Sequence, residues 1–80
     1  MVKIEQVTKM ENAYSIIFSE GLACYGALIE LFENKPVEIE FMEMQPTDPE
    51  PVLVTEESNK KRFDELKEKY LNVILEQANK

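Results

Sequence analysis

The sequence predicts a small α+β domain, in which two helices pack on one face of a small antiparallel sheet in the order β-β-α-β-(β)-α. Three patterns predict this fold: partly alternating apolar residues near the N-terminus, a cleaner alternation over 37–44, and an apolar stripe of helical period after residue 55. Acids occupy the outer positions of the 37–44 strand, so both helices are expected on its other face. A chain of 80 residues is expected to form one domain, 1–80.

The first two strands are separated by a polar break. Apolar and polar residues alternate partly over 2–9 (VKIEQVTK), which is typical of a strand. Residues 13–18 (AYSIIF) are rich in β-branched and aromatic side chains, which favour a second strand. Because the Glu11-Asn12 pair between them suits a turn, these residues together predict a β-hairpin.

The stretch 22–33 has two interpretations. Its large apolar side chains recur at the spacing of one helical face: Leu22, Tyr25, Leu28, Ile29 and Phe32. Ser19 precedes them as a candidate N-cap, and small residues support a helix. The alternative is a hairpin in which strands 26–32 and 37–43 are joined by residues 33–36. The periodicity favours the helix, and the hairpin remains the alternative.

The next strand has the clearest pattern in the chain. Val37, Ile39 and Phe41 alternate with Glu38 and Glu40. Alternate residues of a strand point to the same side, so the two glutamates are expected to share the solvent face. Met42, Glu43 and Met44 continue or end this strand.

The segment from residue 45 onwards is predicted to contain a loop, an edge strand and a helix. Three prolines in 45–51 (QPTDPEP) indicate a stiff, extended loop, and 52–54 (VLV) a short edge strand. Thr55 suits an N-cap, with Glu56 and Glu57 in the first helical turn, where the helix dipole favours acids. The apolar positions of all these elements form the expected core: Ile4, Val7, Tyr14, Ile16, Phe18, Leu22, Tyr25, Leu28, Ile29, Phe32, Val37, Ile39, Phe41, Phe63, Leu66, Tyr70, Val73 and Ile74.

The net charge of -7 lies entirely before residue 55. Residues 1–54 carry three lysines and ten acids, whereas residues 55–80 carry six basic and six acidic residues. The density of acids is highest between Glu20 and Glu50, where eight acids face a single lysine. Such a chain is repelled by phosphate and by anionic lipid, so neither direct nucleic-acid binding nor membrane binding is expected.

The acids of this region predict a docking face for another protein with a basic surface. The predicted partner-binding residues are Glu38, Glu40, Glu43, Asp48 and Glu50. Alternate strand residues lie about 6.5–7 Å apart, close to the spacing of successive phosphates along one nucleic-acid strand. An inhibitor that mimics nucleic acid is therefore the sharpest form of this hypothesis. The alternative is a solvated face that keeps a small protein soluble.

The C-terminal helix predicts a second class of function, a structural or assembly subunit. Its last third is apolar on more than one side, and short domains often gain stability from an oligomer contact. The residues predicted at such a homo-oligomer interface are Tyr70, Leu71, Ile74 and Leu75. The alternative is that the core of the domain absorbs all of them.

Other classes of function would need residues or motifs that the sequence lacks. The chain has no histidine, so the commonest general base and the commonest transition-metal ligand are missing. No nucleophile–base pair, phosphate loop or metal-ligand spacing is present, and we predict no enzyme, cofactor or metal site. Cys24 is the only cysteine and the N-terminus has no apolar signal segment, which predicts a reducing, cytoplasmic location. The composition alone suggests an accessory protein of a phage or mobile element.

Overall fold

The computed structural model of the chain describes residues 1–33 and 35–78, with the side chains of 48, 49 and 78 left aside. Within these ranges it contains five strands and one helix. The strands are β1 (Val2–Lys9), β2 (Ala13–Glu20), β3 (Ala23–Phe32), β4 (Lys35–Gln45) and β5 (Asp48–Val54), and the helix is α1 (Lys60–Ala78). The fold is therefore α+β, as expected, but the arrangement of its elements differs from the prediction.

The five strands form one antiparallel sheet whose spatial order is their order in the chain. Each strand pairs with the next through a short turn, so the sheet is a meander of four hairpins. The predicted first hairpin is confirmed, with Ile4 opposite Phe18 and Val7 opposite Ile16. The prediction of a strand around 37–44 is likewise confirmed by β4.

The predicted helix at 22–33 is wrong, because this stretch is β3. Gly21 and Leu22 form a two-residue loop between the paired residues Glu20 and Ala23. Gly21 has a φ of 63°, which fits the first central position of a type II′ turn. Such a turn matches the twist of two antiparallel strands, so the chain reverses here and no helix starts.

The helical spacing was misleading because β3 carries apolar side chains on both faces. Tyr25, Ala27 and Ile29 are buried on one face, whereas Leu28 lies on the other. The apolar residues therefore do not alternate cleanly along the strand, and they match a helical period by coincidence. Ser19 is not an N-cap but a residue of β2, and its hydroxyl donates to Glu5 Oε1 at 3.2 Å.

The region between β4 and α1 also differs from the prediction. The proline-rich stretch 45–51 is not one long loop, since the chain turns at Pro46-Thr47 and enters β5 at Asp48. β5 lies at the edge of the sheet. Proline has no N–H to donate, and an edge strand tolerates it where the missing N–H would face solvent and not a neighbouring strand.

The helix begins four residues later than predicted. Thr55 and Ser58 close a turn in which the backbone N–H of each donates to the hydroxyl of the other, at 2.9 and 3.0 Å. Asn59 is the N-cap, since its Oδ1 accepts a hydrogen bond from the Arg62 N–H at 3.1 Å. Glu56 and Glu57 consequently lie in the turn before α1 and not in its first helical turn.

The core lies between α1 and one face of the sheet. Its buried side chains are Tyr14, Ile16, Phe18, Tyr25, Ala27, Ile29, Phe41, Val54, Phe63, Leu66, Tyr70 and Ile74. Tyr70 of α1 packs against Phe18 and Tyr25, with ring centroids 4.9 and 5.1 Å away. Near the end of α1, the Tyr14 hydroxyl donates to the Ile74 carbonyl at 3.2 Å.

Three residues of the expected core are instead exposed. Leu22 and Phe32 lie at the two ends of β3, in or beside its turns, and are 82% and 67% exposed. Val37 lies next to an irregularity in the β3–β4 pairing and is 62% exposed. Each residue lies where the chain turns or the pairing shifts, so the alternation that buries its neighbours does not apply.

We expect two glycine substitutions to change stability in opposite directions. Gly21→Ala should lower the free energy of unfolding by about 1 kcal/mol, because a Cβ is strained at positive φ. Gly26→Ala in β3 should raise it by about 0.5 kcal/mol, since glycine is unfavourable inside a strand. A Cβ at Gly26 would lie 3.6 Å from Met42 Cβ, an ordinary contact.

Urea unfolding of the two variants beside the native chain measures both effects. A Gly21→Ala variant as stable as the native chain would contradict the type II′ turn, and with it the assignment of β3.

Candidate partner-binding site

Glu38 and Glu40 lie on the face of the sheet opposite α1. Their neighbour Ile39 is paired with Ile29 and packs against the core, so alternation turns the two glutamates outwards. Glu38 is paired with Glu30 of β3, which brings a third acid to the same face. Residues directly opposite in neighbouring strands have Cβ atoms about 4.5–5.5 Å apart, and like charges placed so destabilise the pair.

Glu43 points the other way, towards α1. It lies two residues after Phe41, whose side chain is fully buried, and its own side chain is 11% exposed. Arg62 Nε donates to Glu43 Oε2 at 3.1 Å, and Arg62 Nη2 contacts Oε1. These hydrogen bonds lower the pKa of Glu43 despite its burial. The carboxylate therefore joins α1 to β4 and does not belong to the outer acidic face.

Glu20 makes the equivalent connection at β2. Its Oε1 accepts hydrogen bonds from Lys69 Nζ at 2.8 Å and from the Tyr70 hydroxyl at 2.9 Å. Both bonds lower the pKa of Glu20, the Lys69 contact more strongly. Burial raises the pKa of Tyr70, so its hydroxyl keeps the proton that it donates. The cations of α1 thus neutralise acids on the covered face of the sheet.

The last two predicted residues lie on β5. Asp48 is opposite Gln45 in the pairing with β4, and its side chain lies outside the described part. Glu50 is exposed on this edge strand. The structure therefore brings Glu38 and Glu40 together and separates Glu43 from them, while Glu50 lies on a different strand.

A cleft forms where β5 does not cover β4. β5 pairs with residues 41–45 of β4, so residues 35–40 border open space beside the turn that precedes α1. The cleft has a volume of about 400 Å³. Its acids come from two separate segments, Glu38 and Glu40 from β4 and Glu56 and Glu57 from the turn. We call these four residues and the space between them the acidic cleft.

Few cations lie close enough to offset the negative charge of the acidic cleft. Lys67 lines it, and Lys60 lies 3.9 Å from Glu56 in an exposed ion pair. Across residues 1–33 and 35–78, no ion pair reaches Glu38 or Glu40. Apolar side chains, Ile39 and Phe63, form part of its wall.

Sequence reasoning missed the acids of the turn and the paired acid of β3. The sequence pattern places Glu56 and Glu57 in the first turn of the helix, whereas the later N-cap at Asn59 leaves them in the turn that borders the cleft. The helical interpretation of 22–33 does not place Glu30 beside β4. The hairpin alternative does, because pairing those two strands brings Glu30 near Glu38.

The residues predicted at an oligomer interface are divided between the core and the helix surface. Tyr70 and Ile74 are 1% and 0% exposed, because they pack against the sheet. Leu71 and Leu75 are half-buried. Self-association through this helix would therefore depend on Leu71 and Leu75 alone among the four.

In the part of the chain that is described, no three or more Cys, Asp or Glu side chains are grouped so as to hold a metal ion. Over the same residues, no helix is both long enough and apolar enough to cross a bilayer.

No protein-family model matches the chain, and no curated protein or solved structure shows a significant match to it.

We expect the Arg62–Glu43 contact to give a pH-dependent contribution to stability. Glu43→Gln should lower the free energy of unfolding by about 1–2 kcal/mol at neutral pH, because it removes a half-buried, charge-assisted hydrogen bond. Folding lowers the pKa of Glu43 below its ordinary 4.5. The contribution is therefore complete above about pH 4.5 and is lost as the pH falls through the folded value.

Urea unfolding at neutral pH and near pH 3 tests this, with Glu68→Gln on the exposed side of α1 as the control. The difference between the native chain and Glu43→Gln should shrink in acid, and Glu68→Gln should have little effect at either pH. An equal difference at both pH values would show that the carboxylate contributes by shape and not by charge.

Proposed function

We propose that this protein is an acidic interaction module that binds a basic surface of a partner protein through the acidic cleft. One observation carries the proposal: Glu38 and Glu40 of β4 and Glu56 and Glu57 of the turn before α1, two distant segments of the chain, border one concavity. Four acids and one lysine line it. A concave site with an excess of one sign focuses its field and attracts ligands of the opposite sign more strongly than a flat surface does.

The distribution of charge supports this proposal over a merely solvated surface. The covered face of the sheet has its acids matched, Glu43 by Arg62 and Glu20 by Lys69. On the outer face, Glu30 and Glu38 are instead placed opposite each other. Like charges so arranged cost stability until a cation compensates them, and lysine or arginine of a partner would do so.

A nucleic-acid-binding protein is the kind of partner that this arrangement suits best. Glu38 and Glu40 are alternate residues of one strand and share a face, with a separation of about 6.5–7 Å. A basic site built for phosphates accepts carboxylates at that spacing. The protein would then act as an inhibitor that occupies the nucleic-acid site of its target.

The test is capture of a partner by the native chain and by matched charge variants, at low and at high salt. Glu38→Gln with Glu40→Gln removes two charges from the acidic cleft. Glu68→Gln with Glu76→Gln removes two charges from exposed positions on α1 and is the control. A captured protein is identified, prepared in pure form and titrated against all three chains.

We expect the cleft variant to bind the purified partner about three- to tenfold more weakly at low salt, and the control variant to bind like the native chain. The difference should largely vanish at high salt. A partner that binds both variants equally would contradict the acidic cleft as the site. Recovery of the protein's own copies alone would favour an assembly subunit instead.

A further inference from the structure

The face of the sheet opposite α1 carries a row of apolar side chains next to the acidic cleft. Ile17 of β2, Gly26 of β3, Met42 of β4 and Leu53 of β5 are successive partners across the sheet. Ile17 and Met42 are each 46% exposed, and Leu53 is 51% exposed. Together with the half-buried Leu28, these residues are called the apolar row. Contiguous exposed apolar surface of this kind commonly marks a protein interface.

Gly26 makes a depression in the apolar row. Since it has no side chain, a hollow of about 440 Å³ opens between the side chains of the flanking strands. Its lining is almost entirely apolar and includes Leu28, Met42 and Leu53. A hollow between exposed apolar side chains is the kind of place in which an interface residue of a partner is buried.

Glu40 joins the hollow to the acidic cleft. It is opposite Leu28 in the β3–β4 pairing and lines both concavities. Glu38 follows on the same side of β4, two residues away. The surface therefore changes from apolar to acidic along one strand, without a break.

We propose that the partner binds through an amphipathic helix, with an apolar residue seated over Gly26 and lysine or arginine side chains reaching Glu40 and Glu38. This inference rests on the proposed function and specifies the chemistry of its ligand. An apolar stripe bordered by basic residues complements the change from apolar to acidic surface along β4.

The dimensions of the face suit a helix. The apolar row crosses four strands and spans about 14 Å, at about 4.8 Å for each strand spacing. Residues i and i+7 of a helix are about 10 Å apart along its axis, so two or three apolar side chains of one stripe fit along the row. The opposite face of the sheet already holds a helix, α1, over Ile16, Ala27 and Phe41.

Charge argues against a second copy as the occupant. Two copies meeting through this face would bring Glu30, Glu38 and Glu40 of each chain towards those of the other, in a protein of net charge -7. Like-charge juxtaposition of this kind opposes association. A basic helix has the opposite charge and the same apolar complement.

The test uses the whole chain and two synthetic peptides. One is an 18-residue peptide of about half leucine and half lysine, ordered so that a helix has one leucine face. The second has the same composition in an order that destroys this face. Binding is titrated by fluorescence anisotropy for the native chain, Gly26→Leu, and Glu38→Gln with Glu40→Gln. Gly26→Leu fills the hollow without changing charge, and its Cβ meets neighbours at ordinary contact distances.

We expect the amphipathic peptide to bind the native chain at least tenfold more tightly than the reordered peptide. Gly26→Leu should abolish that preference, and the double glutamine variant should weaken both peptides. Circular dichroism verifies that each variant is folded. If Gly26→Leu is unfolded, Met42→Ser is used in its place, and the same loss of preference is expected.

The outcomes separate the two proposals. Equal binding of both peptides, with loss only in the double glutamine variant, would overturn the amphipathic helix and leave the acidic cleft in place. If the Glu38→Gln and Glu40→Gln substitutions leave the binding of both peptides unchanged, both proposals are overturned. A dimer of the native chain that Gly26→Leu dissociates would assign the apolar row to self-association and overturn the inference.

Discussion

The packing of Tyr70 against Phe18 and Tyr25 holds the helix to the sheet, and the other features of the molecule are arranged around that contact. The ring fills the centre of the layer between α1 and the strands, and its hydroxyl finds an acceptor in Glu20. A buried tyrosine needs such an acceptor, because an unpaired hydroxyl in an apolar layer is destabilising. The contact therefore fixes which face of the sheet α1 covers.

A single helix covers only one face of a five-stranded sheet, and this limit determines where the surface features lie. The covered face contains the largest buried side chains. The other face keeps Ile17, Met42 and Leu53 partly in solvent. An antiparallel sheet with one face in solvent usually presents polar residues there. The apolar residues of this open face therefore require a separate explanation from those of the core.

Two cations of the helix face the covered side of the sheet. Arg62 and Lys69 are seven residues apart, about two helical turns, so both point from α1 towards the sheet and reach acids of β4 and β2. Their partners, Glu43 and Glu20, are thereby removed from the surface charge. In the described part of the chain, the acids on the opposite face of β4 are in no such ion pair. The charge balance of residues 55–80 thus does not neutralise the acidic region as a whole.

The sequence predicts those parts of the fold in which local pattern and tertiary environment agree. The first hairpin, the strand with Phe41 at its centre and the presence of a terminal helix follow from alternation or period alone. β3 was mispredicted because it is apolar on both faces, and periodicity does not distinguish such a strand from a helix. The Gly21-Leu22 dipeptide was the stronger signal, since a glycine at positive φ favours a hairpin.

The candidate site was predictable only where one strand supplies it. Alternation places Glu38 and Glu40 together, and the same rule, continued past Phe41, turns Glu43 inwards. Glu56 and Glu57 join them only because the helix starts after Asn59, and a shift of one turn in that start would move both acids. Helix ends are set by hydrogen bonds of a few residues, so propensity locates them poorly.

The order of the strands has a consequence for how the chain acquires its structure. Every strand pairs with its sequence neighbour, so each hairpin is able to form as soon as its second strand has left the ribosome. The contacts that bury a face come much later, since Tyr14 meets Ile74 across 60 residues. A nascent sheet therefore exposes both of its apolar faces until the helix emerges. Slowing translation of the segment that encodes α1 would lengthen the period in which the unfinished chain is open to aggregation or to chaperones.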